Sequence, residues 1–69
     1  MLAMKILLNG AEQALPADAT IADLLTHSGY AERRVAVELN QRIVPRSAHA
    51  TQPLQEGDRV EIVHAIGGG

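Results

Sequence analysis

Short apolar stretches separated by turn residues form the pattern of hydrophobic and polar positions at the start of this chain. Residues 5–9 run through Asn9-Gly10 into residues 11–15, and Asn-Gly between two apolar stretches is a strong hairpin signal. Pro16 ends the second stretch, because proline has no N–H group to donate to a sheet. The pattern predicts two antiparallel strands joined by a tight turn.

Further along the chain, apolar and polar positions alternate in the manner of half-buried strands. Residues 35–39 alternate with a period of two, a turn leads into residues 42–44, and residues 59–63 alternate again after a Glu-Gly-Asp turn signal. Residues 46–55 show no clean period, so we predict an irregular loop with room for one helical turn. The second half of the chain thus carries three predicted strands.

Between these two groups of strands, the apolar period becomes that of a helix. One apolar face is predicted from positions i, i+3 and i+4, which are Ile21, Leu24 and Leu25. The hydroxyl of Thr20 can cap the first turn, where Asp23 places a carboxylate near the positive end of the helix. The pair resembles a capping box with Asp in place of Glu or Gln. Gly29 fits the left-handed position that ends a helix, so the predicted helix is about two turns long.

The predicted order β, β, α, β, β, β indicates an α+β domain in which one short helix covers one face of a mixed sheet of four to five strands. The helix supplies the crossover that a parallel pair of strands requires, so the first and last strands can lie side by side at the centre. This arrangement is a β-grasp, or ubiquitin-like, sheet. We predict a single domain over residues 1–66, followed by a flexible glycine tail over residues 67–69.

The period of two also assigns side chains to the two faces of the predicted sheet. The positions expected to face the helix are Ile6, Leu8, Val60 and Ile62. The positions then left on the open face are Leu7, Val63 and Ala65. This aliphatic patch can extend to Ile43 or Val44 and to Ile66. It is either a surface that binds a partner or ordinary surface apolarity, and the pattern alone supports both interpretations.

The chain ends on Gly67-Gly68-Gly69, shortly after the last predicted strand. Glycine lets backbone approach a surface closely and is entropically costly to order, which suits a tail that threads into another protein's narrow active site better than it suits the end of a fold. A frayed terminus or an engineered linker is the alternative. The functional interpretation makes the carboxylate of Gly69 the reacting group.

Composition narrows the classes of function. A chain of 69 residues allows one modest core, which must be aliphatic because the chain has no Phe or Trp and only one Tyr. Without cysteine there is no disulfide, thiolate zinc site or internal persulfide. A formal charge of −2 provides no basic footprint for nucleic acid, and no apolar run has the length of a membrane span or signal peptide. We therefore predict a cytoplasmic protein that binds neither nucleic acid nor membrane.

The remaining polar residues suggest no site of their own. The three histidines come from a helix, a loop and a strand, without a carboxylate or cysteine at ligand spacing, so no metal site is predicted. Arg33-Arg34 is interpreted as a solvated turn. Arg46 is predicted to anchor its loop by donating to backbone carbonyls.

Several of these segments occur together in one known family. The segments are Asn9-Gly10, residues 20–25, residues 35–40, Ile43-Val44-Pro45-Arg46, residues 56–63 and the final glycines. Together they resemble the ThiS family, the ubiquitin-like sulfur carriers of thiamine biosynthesis, over essentially the whole chain. The loop position at His49 is often aromatic in that family and departs from its pattern here.

The resemblance implies a reaction at the tail. An E1-like adenylyltransferase would use ATP and magnesium to adenylate Gly69, and a cysteine persulfide on a cysteine desulfurase or rhodanese-type donor would displace AMP and leave a thiocarboxylate. A thiazole synthase would then accept the sulfur. Gly67 and Gly68 would thread the tail into these partners. The chain itself would bind no cofactor and would be a covalently modified substrate rather than an enzyme.

Two alternatives remain open at this point. A sulfur carrier for molybdopterin or another thiolated metabolite would have the same fold and tail, although the Ile43-Val44-Pro45-Arg46 segment and the short length favour the thiamine version. A non-covalent β-grasp interaction module would instead bind its partner through the sheet. Such a module would keep its partner after the last two glycines are removed.

Overall fold

A computed structural model describes residues 3–31 and 33–64 of the chain. Its elements, in chain order, are β1 (Ala3–Leu8), β2 (Ala11–Pro16), α1 (Ile21–His27), β3 (Val35–Leu39), β4 (Arg42–Val44), one 3₁₀ turn η1 (Arg46–Ala48) and β5 (Arg59–His64). The predicted order of strands and helix is confirmed, and η1 is the helical turn expected within residues 46–55. The predicted boundary between domain and tail, at residue 66, lies outside the described residues.

The five strands form one mixed sheet in the order β2-β1-β5-β3-β4. β1 and β5 are parallel neighbours, as predicted, and the other neighbouring pairs are antiparallel. Since α1 lies between β1 and β5 in the chain, it contributes to the long crossover that a parallel pair requires. The last described strand therefore lies in the middle of the sheet.

Turns with left-handed backbone close both hairpins. Asn9 and Gly10 have φ angles of 50° and 86°, and Asn40 and Gln41 have φ angles of 51° and 71°. Two successive positive φ angles are typical of the type I′ turn, whose twist matches that of the strands it joins. The hairpin predicted from Asn9-Gly10 is thus confirmed.

Both ends of α1 are capped by its local sequence. The Thr20 hydroxyl accepts a hydrogen bond from the Asp23 N–H at 3.2 Å, and an Asp23 carboxylate oxygen accepts one from the Thr20 N–H at 2.9 Å. The predicted capping box is therefore present with Asp at its third position. At the other end, Gly29 has a φ of 84°, and the N–H of Tyr30 donates to the Leu25 carbonyl at 2.7 Å. This bond belongs to a Schellman motif, which satisfies a carbonyl left over at the helix end.

An aliphatic core fills the space between α1 and the sheet. Its most deeply buried side chains are Ile6, Ile21, Leu24, Val37 and Val60. Of the strand positions predicted to face the helix, Ile6, Val60 and Ile62 are buried. Leu8 is partly buried against them. Leu54 is also buried, which the sequence did not indicate because this residue lies in the irregular loop, where no period marks a core position.

The loop after β4 is held by a histidine rather than by an arginine. Nε2 of the half-buried His49 lies 3.1 Å from the carbonyl oxygen of Val44. Arg46 is exposed, and its side chain makes no hydrogen bond to the described part of the chain, so the predicted anchoring role of Arg46 is wrong. The physical reason is entropic, because fixing a long guanidinium side chain costs more rotamer freedom than fixing an imidazole.

Replacing Thr20 by Ala removes the hydroxyl from the capping box, and we expect it to lower the free energy of unfolding by ~1 kcal/mol. In a domain of this size that corresponds to a fall in Tm of roughly 4–8 °C. The matched control is Thr26→Ala, the same substitution at an exposed position of the same helix, where Ala is the better helix former. Thermal unfolding followed by circular dichroism measures both variants. Equal Tm values would show that the cap contributes nothing.

Candidate functional site

β5 is the strand that leads towards the glycines, and both of its edges are paired. Five residue pairs join it to β3 and two join it to β1. The predicted site residues that come after it lie outside the described residues, and they are Ala65, Ile66, Gly67, Gly68 and Gly69. Their roles stay predictions.

The open face of the sheet, on the side away from α1, presents alternate residues of each strand. On β5 these residues are Arg59, Glu61 and Val63. The residues that the strand pairing places beside them on the same face are Leu7 of β1, Ala36 and Glu38 of β3, and Ile43 of β4. The open face therefore mixes aliphatic and charged side chains.

The aliphatic residues of the open face do not form one continuous patch. Val63 is 55% exposed and Ile43 is 65% exposed, and no other large hydrophobic side chain is exposed in the described ranges. Val63 lies opposite Ala36. Leu7 is half-buried and pairs with Arg59 at the other end of β5, about 13 Å from Val63 at ~3.3 Å per residue. Leu7 and Val63 thus share a face, as predicted, without lying close together.

The open face extends through Ile43 and not through Val44. Val44 is only 8% exposed and pairs with Val37, whose side chain belongs to the core. The sequence left the two residues as alternatives because β4 has only three residues, too few for alternation to identify a face. Val44 is accordingly excluded from the candidate surface.

Two carboxylates lie opposite each other in the middle of the open face. Glu38 pairs with Glu61 across β3 and β5, and Ile43 lies on the other side of Glu38. Like charges directly opposite each other destabilise an antiparallel pair of strands. A partner that brings a cation to Glu38 and Glu61 relieves this repulsion. Alternation could have placed both residues outward, but their pairing depends on a register that no local signal reveals.

Two asparagine side chains hold the backbone of β5, one from each side. The N–H of Ile62 donates to Oδ1 of Asn9 at 2.8 Å, and Nδ2 of Asn9 makes a longer contact of 3.4 Å with the Ile62 carbonyl. At the beginning of the strand, the N–H of Arg59 donates to Oδ1 of Asn40 at 2.9 Å, and Nδ2 of Asn40 donates to Asp58 at 3.0 Å. Asn40 therefore holds the start of β5 at Arg59, and Asn9 holds its later part at Ile62.

Residues 3–31 and 33–64 contain neither a cluster of metal ligands nor a helix suited to crossing a membrane. Within them, no group of three or more His, Cys, Asp or Glu residues is placed to hold a metal ion. No helix in the same ranges is long and apolar enough to cross a membrane. The described residues offer an open surface and a firmly held strand.

The fold is that of a ubiquitin-like β-grasp domain, the class predicted from the sequence. Its features are the mixed sheet with a central parallel pair, the capped helix and a last described strand that is paired on both edges. The model of the ThiS family matches residues 6–69. The chain belongs to the ThiS family. The resemblance carried by the sequence segments is thereby confirmed.

Individual relatives support the same assignment. The chain is 33% identical over 66 residues to the sulfur carrier protein ThiS of Escherichia coli (strain K12), a match that covers 96% of this chain and 100% of the relative. It is 46% identical over 66 residues to a thiazole synthase of Paramagnetospirillum magneticum, where the match covers 96% of this chain and 20% of the relative. The chain thus spans about a fifth of the length of that enzyme.

A solved structure has the same fold. The crystal structure of a thiamine biosynthesis protein (ThiS) from Geobacter metallireducens is similar to this chain with a TM-score of 0.82 at 29% sequence identity. The match covers 96% of this chain and 100% of the other. The two proteins therefore share the fold that the described residues adopt.

Neutralising one member of the opposed carboxylate pair should stabilise the free domain. We expect Glu61→Gln to raise the free energy of unfolding by roughly 0.2–1 kcal/mol at low ionic strength, because it removes the like-charge repulsion with Glu38. The matched control is Glu12→Gln on the same face, where the residue lies opposite Leu7 rather than another carboxylate. Urea unfolding at low and high salt measures the difference. If both variants shift the midpoint equally, Glu38 and Glu61 do not repel each other measurably.

Proposed function

We propose that this chain carries sulfur for thiamine biosynthesis as a thiocarboxylate on the carbonyl carbon of Gly69. The observation that carries the proposal is the position of β5, which lies in the middle of the sheet, is held on both edges and precedes Gly69 by five residues. Membership of the ThiS family and the full-length correspondence to a sulfur carrier protein support it.

The proposed chemistry converts a poor acyl donor into a sulfur carrier. The carboxylate of Gly69 attacks the α-phosphorus of ATP, pyrophosphate leaves, and a mixed anhydride with AMP remains. The terminal sulfur of a persulfide on a cysteine desulfurase or rhodanese-type donor attacks the acyl carbon, and AMP leaves. A thiol then attacks the donor's cysteine sulfur in the resulting acyl disulfide, forming a new disulfide and releasing the thiocarboxylate.

In this proposal the chain is a substrate and not an enzyme. ATP, magnesium and the catalytic groups belong to an E1-like adenylyltransferase, and this chain contributes a tail without Cβ atoms that can enter a narrow channel. Because the sulfur resides on a backbone carbonyl, the carrier needs no cysteine, and the sequence has none. We place these reactions in the cytoplasm, where ATP for the adenylation is at hand.

We propose that the partners dock on the open face. Val63 and Ile43 offer exposed aliphatic area, and removing apolar area from water against a partner favours binding. Glu38 and Glu61 add paired negative charge, which attracts a basic partner surface and speeds association. Since Val63 lies on β5, a partner bound there is next to the strand that leads to the glycines. Leu7 lies on the same face, opposite Arg59 at the other end of β5.

Thiazole synthase is the proposed acceptor of the sulfur. Two relatives named thiazole synthase, from Paramagnetospirillum magneticum and Magnetococcus marinus, each contain a segment that is 46% identical to this chain over 66 residues. A carrier-like segment within the same polypeptide as such an enzyme is the arrangement expected when the two act on a common intermediate. We therefore propose that the adenylyltransferase and the thiazole synthase use the open face in turn.

The reaction at Gly69 is tested by pyrophosphate release and intact mass. We expect ATP and the cognate adenylyltransferase to release pyrophosphate in proportion to the amount of this protein. After addition of a sulfur donor, the intact mass should change by the replacement of one oxygen by sulfur, and the change should map to the C-terminal peptide. Gly68→Val should reduce both signals by on the order of a hundredfold, because the branched side chain collides with a channel shaped for glycine and misplaces the carboxylate. Gly68→Ala, which adds only a Cβ atom, should reduce both signals by a smaller factor.

The fold provides the control for this experiment. Both Gly68 variants should have the Tm of the wild-type protein, since residue 68 comes after the last described strand. If a chain shortened to Ile66 were still adenylated and thiolated at the wild-type rate, the carrier proposal would be refuted. The non-covalent interaction module would then replace it. If the thiolated carrier served a molybdopterin synthase and not a thiazole synthase, only the pathway would change.

The docking proposal is tested by adding charge to the open face. We expect Val63→Glu to raise the half-saturating concentration of the adenylyltransferase by on the order of tenfold, because the proposed apolar contact with the partner is lost and a third carboxylate joins Glu38 and Glu61. The matched control is Ala17→Glu, which adds the same charge at an exposed position in the turn between β2 and α1, outside the open face. Similar effects of the two substitutions would show that the carrier does not bind through Val63.

A further inference from the structure

Asn9 makes a contact that its position in a turn does not require. With a φ of 50° next to Gly10 at 86°, it suits the first central position of a type I′ turn, where glycine would serve equally well. Its side chain nevertheless reaches across to β5 and bonds both backbone groups of Ile62, at 2.8 Å and 3.4 Å. We call this pair of contacts the Asn9 clamp.

The Asn9 clamp continues the pairing of β1 with β5 beyond the point where β1 ends. Direct pairing stops at Leu8 and Val60, because the chain then turns back into β2. The N–H of Asn9 donates to the Val60 carbonyl at 2.9 Å, and the side-chain amide then meets Ile62 with the same donor and acceptor groups that a further peptide unit would present. β5 is thereby held on its β1 edge for two more residues.

The extra support matters because β5 leads to the reacting end of the chain. Gly69 is seven residues beyond Ile62, a separation that spans up to about 23 Å of extended chain. A strand held only along its β3 edge can swing about that edge, so a small change of direction at Ile62 alters where the tail begins relative to a partner docked on the open face. In enzymes generally, a misplacement of ~1 Å at the reacting atoms can cost on the order of a hundredfold in rate.

We infer that Asn9 is a positioning residue for the adenylation of Gly69, acting through its clamp on the backbone of Ile62. The inference rests on the proposed function of the tail. Asn9 does not belong to the aliphatic and acidic group that we propose as the docking face. Its loss should therefore slow the reaction of the bound carrier while leaving the binding of the carrier unchanged.

The experiment compares three variants of the full-length protein. Asn9→Gly keeps a residue that tolerates the left-handed turn and removes the clamp. Asn9→Asp keeps the oxygen that accepts from Ile62 and loses the donor, so it is the conservative variant. Asn40→Gly is the matched control, because it removes an asparagine of nearly identical φ from the other end of the same strand, at Arg59.

Two kinetic readouts and one structural readout separate positioning from stability. With the adenylyltransferase in excess, pyrophosphate release gives the maximal single-turnover rate and the half-saturating enzyme concentration. Amide hydrogen exchange at Ile62 reports whether the clamp has been lost. We expect Asn9→Gly to lower the maximal rate by on the order of tenfold, to leave half-saturation within about twofold and to speed exchange at Ile62. The maximal rate of Asn9→Asp should lie between those of the wild-type protein and Asn9→Gly. Asn40→Gly should keep the wild-type maximal rate.

Specific results would overturn the inference. An unchanged maximal rate for Asn9→Gly despite faster exchange at Ile62, an equal loss of rate for Asn40→Gly, or a loss confined to half-saturation would each show that the clamp does not position the tail. If Asn9→Gly proves too unstable to assay, the inference would also be overturned by an Asn9→Asp variant with the maximal rate of the wild-type protein. If the wild-type protein causes no release of pyrophosphate from ATP, the proposed function itself would be refuted, which is a different result.

Discussion

The parallel pairing of β1 with β5 is the constraint on which the rest of this structure depends. It joins the first described strand to the last, although only two residue pairs form it directly. Parallel neighbours require a crossover, so α1 and the loops around it must lie between them in the chain and pack over one face of the sheet. The result is a final strand in the centre of the domain, where strands on both sides limit its movement.

The centrality of β5 gives one strand two functions. Val60 and Ile62 point into the aliphatic core, while Glu61 and Val63 point to the open face, where we propose that partners bind. The carboxylates of Glu38 and Glu61 lie opposite each other, where like charges repel, and such a pair suits a surface that meets cations. Stability is thus concentrated on the helix side of β5, and recognition on the opposite side.

How far the sequence predicts this structure depends on how local each signal is. The Asn9-Gly10 turn and the capping box of Thr20 and Asp23 involve residues within one turn of chain, and both were predicted and found. The opposition of Glu38 and Glu61 depends on strand register, and the Asn9 clamp joins residues 53 positions apart. Neither can be read from periodicity, since alternation assigns a face and not a partner.

The two features of the loop after β4 that the sequence did not predict, the role of His49 and the burial of Leu54, also depend on contacts that are not local in sequence. Arg46 was predicted to anchor its loop because a flexible cation near carbonyls is a reasonable donor, yet the shorter His49 holds the loop. Leu54 carries no periodic signal and is buried only because its loop passes beside the start of α1, where its N–H donates to the Ala19 carbonyl at 3.0 Å. Both outcomes depend on how the loop packs, which only the folded arrangement determines.

The central claim is that β5 holds the glycine tail so that the carbonyl carbon of Gly69 carries sulfur. Its most direct test is the intact mass of this protein isolated from cells starved of thiamine, together with mapping of any added mass. We expect a fraction of the molecules to carry one oxygen-for-sulfur exchange, located on the peptide that contains Gly69. A protein that is fully expressed and folded in starved cells, with its mass unchanged at every time point, would contradict this claim.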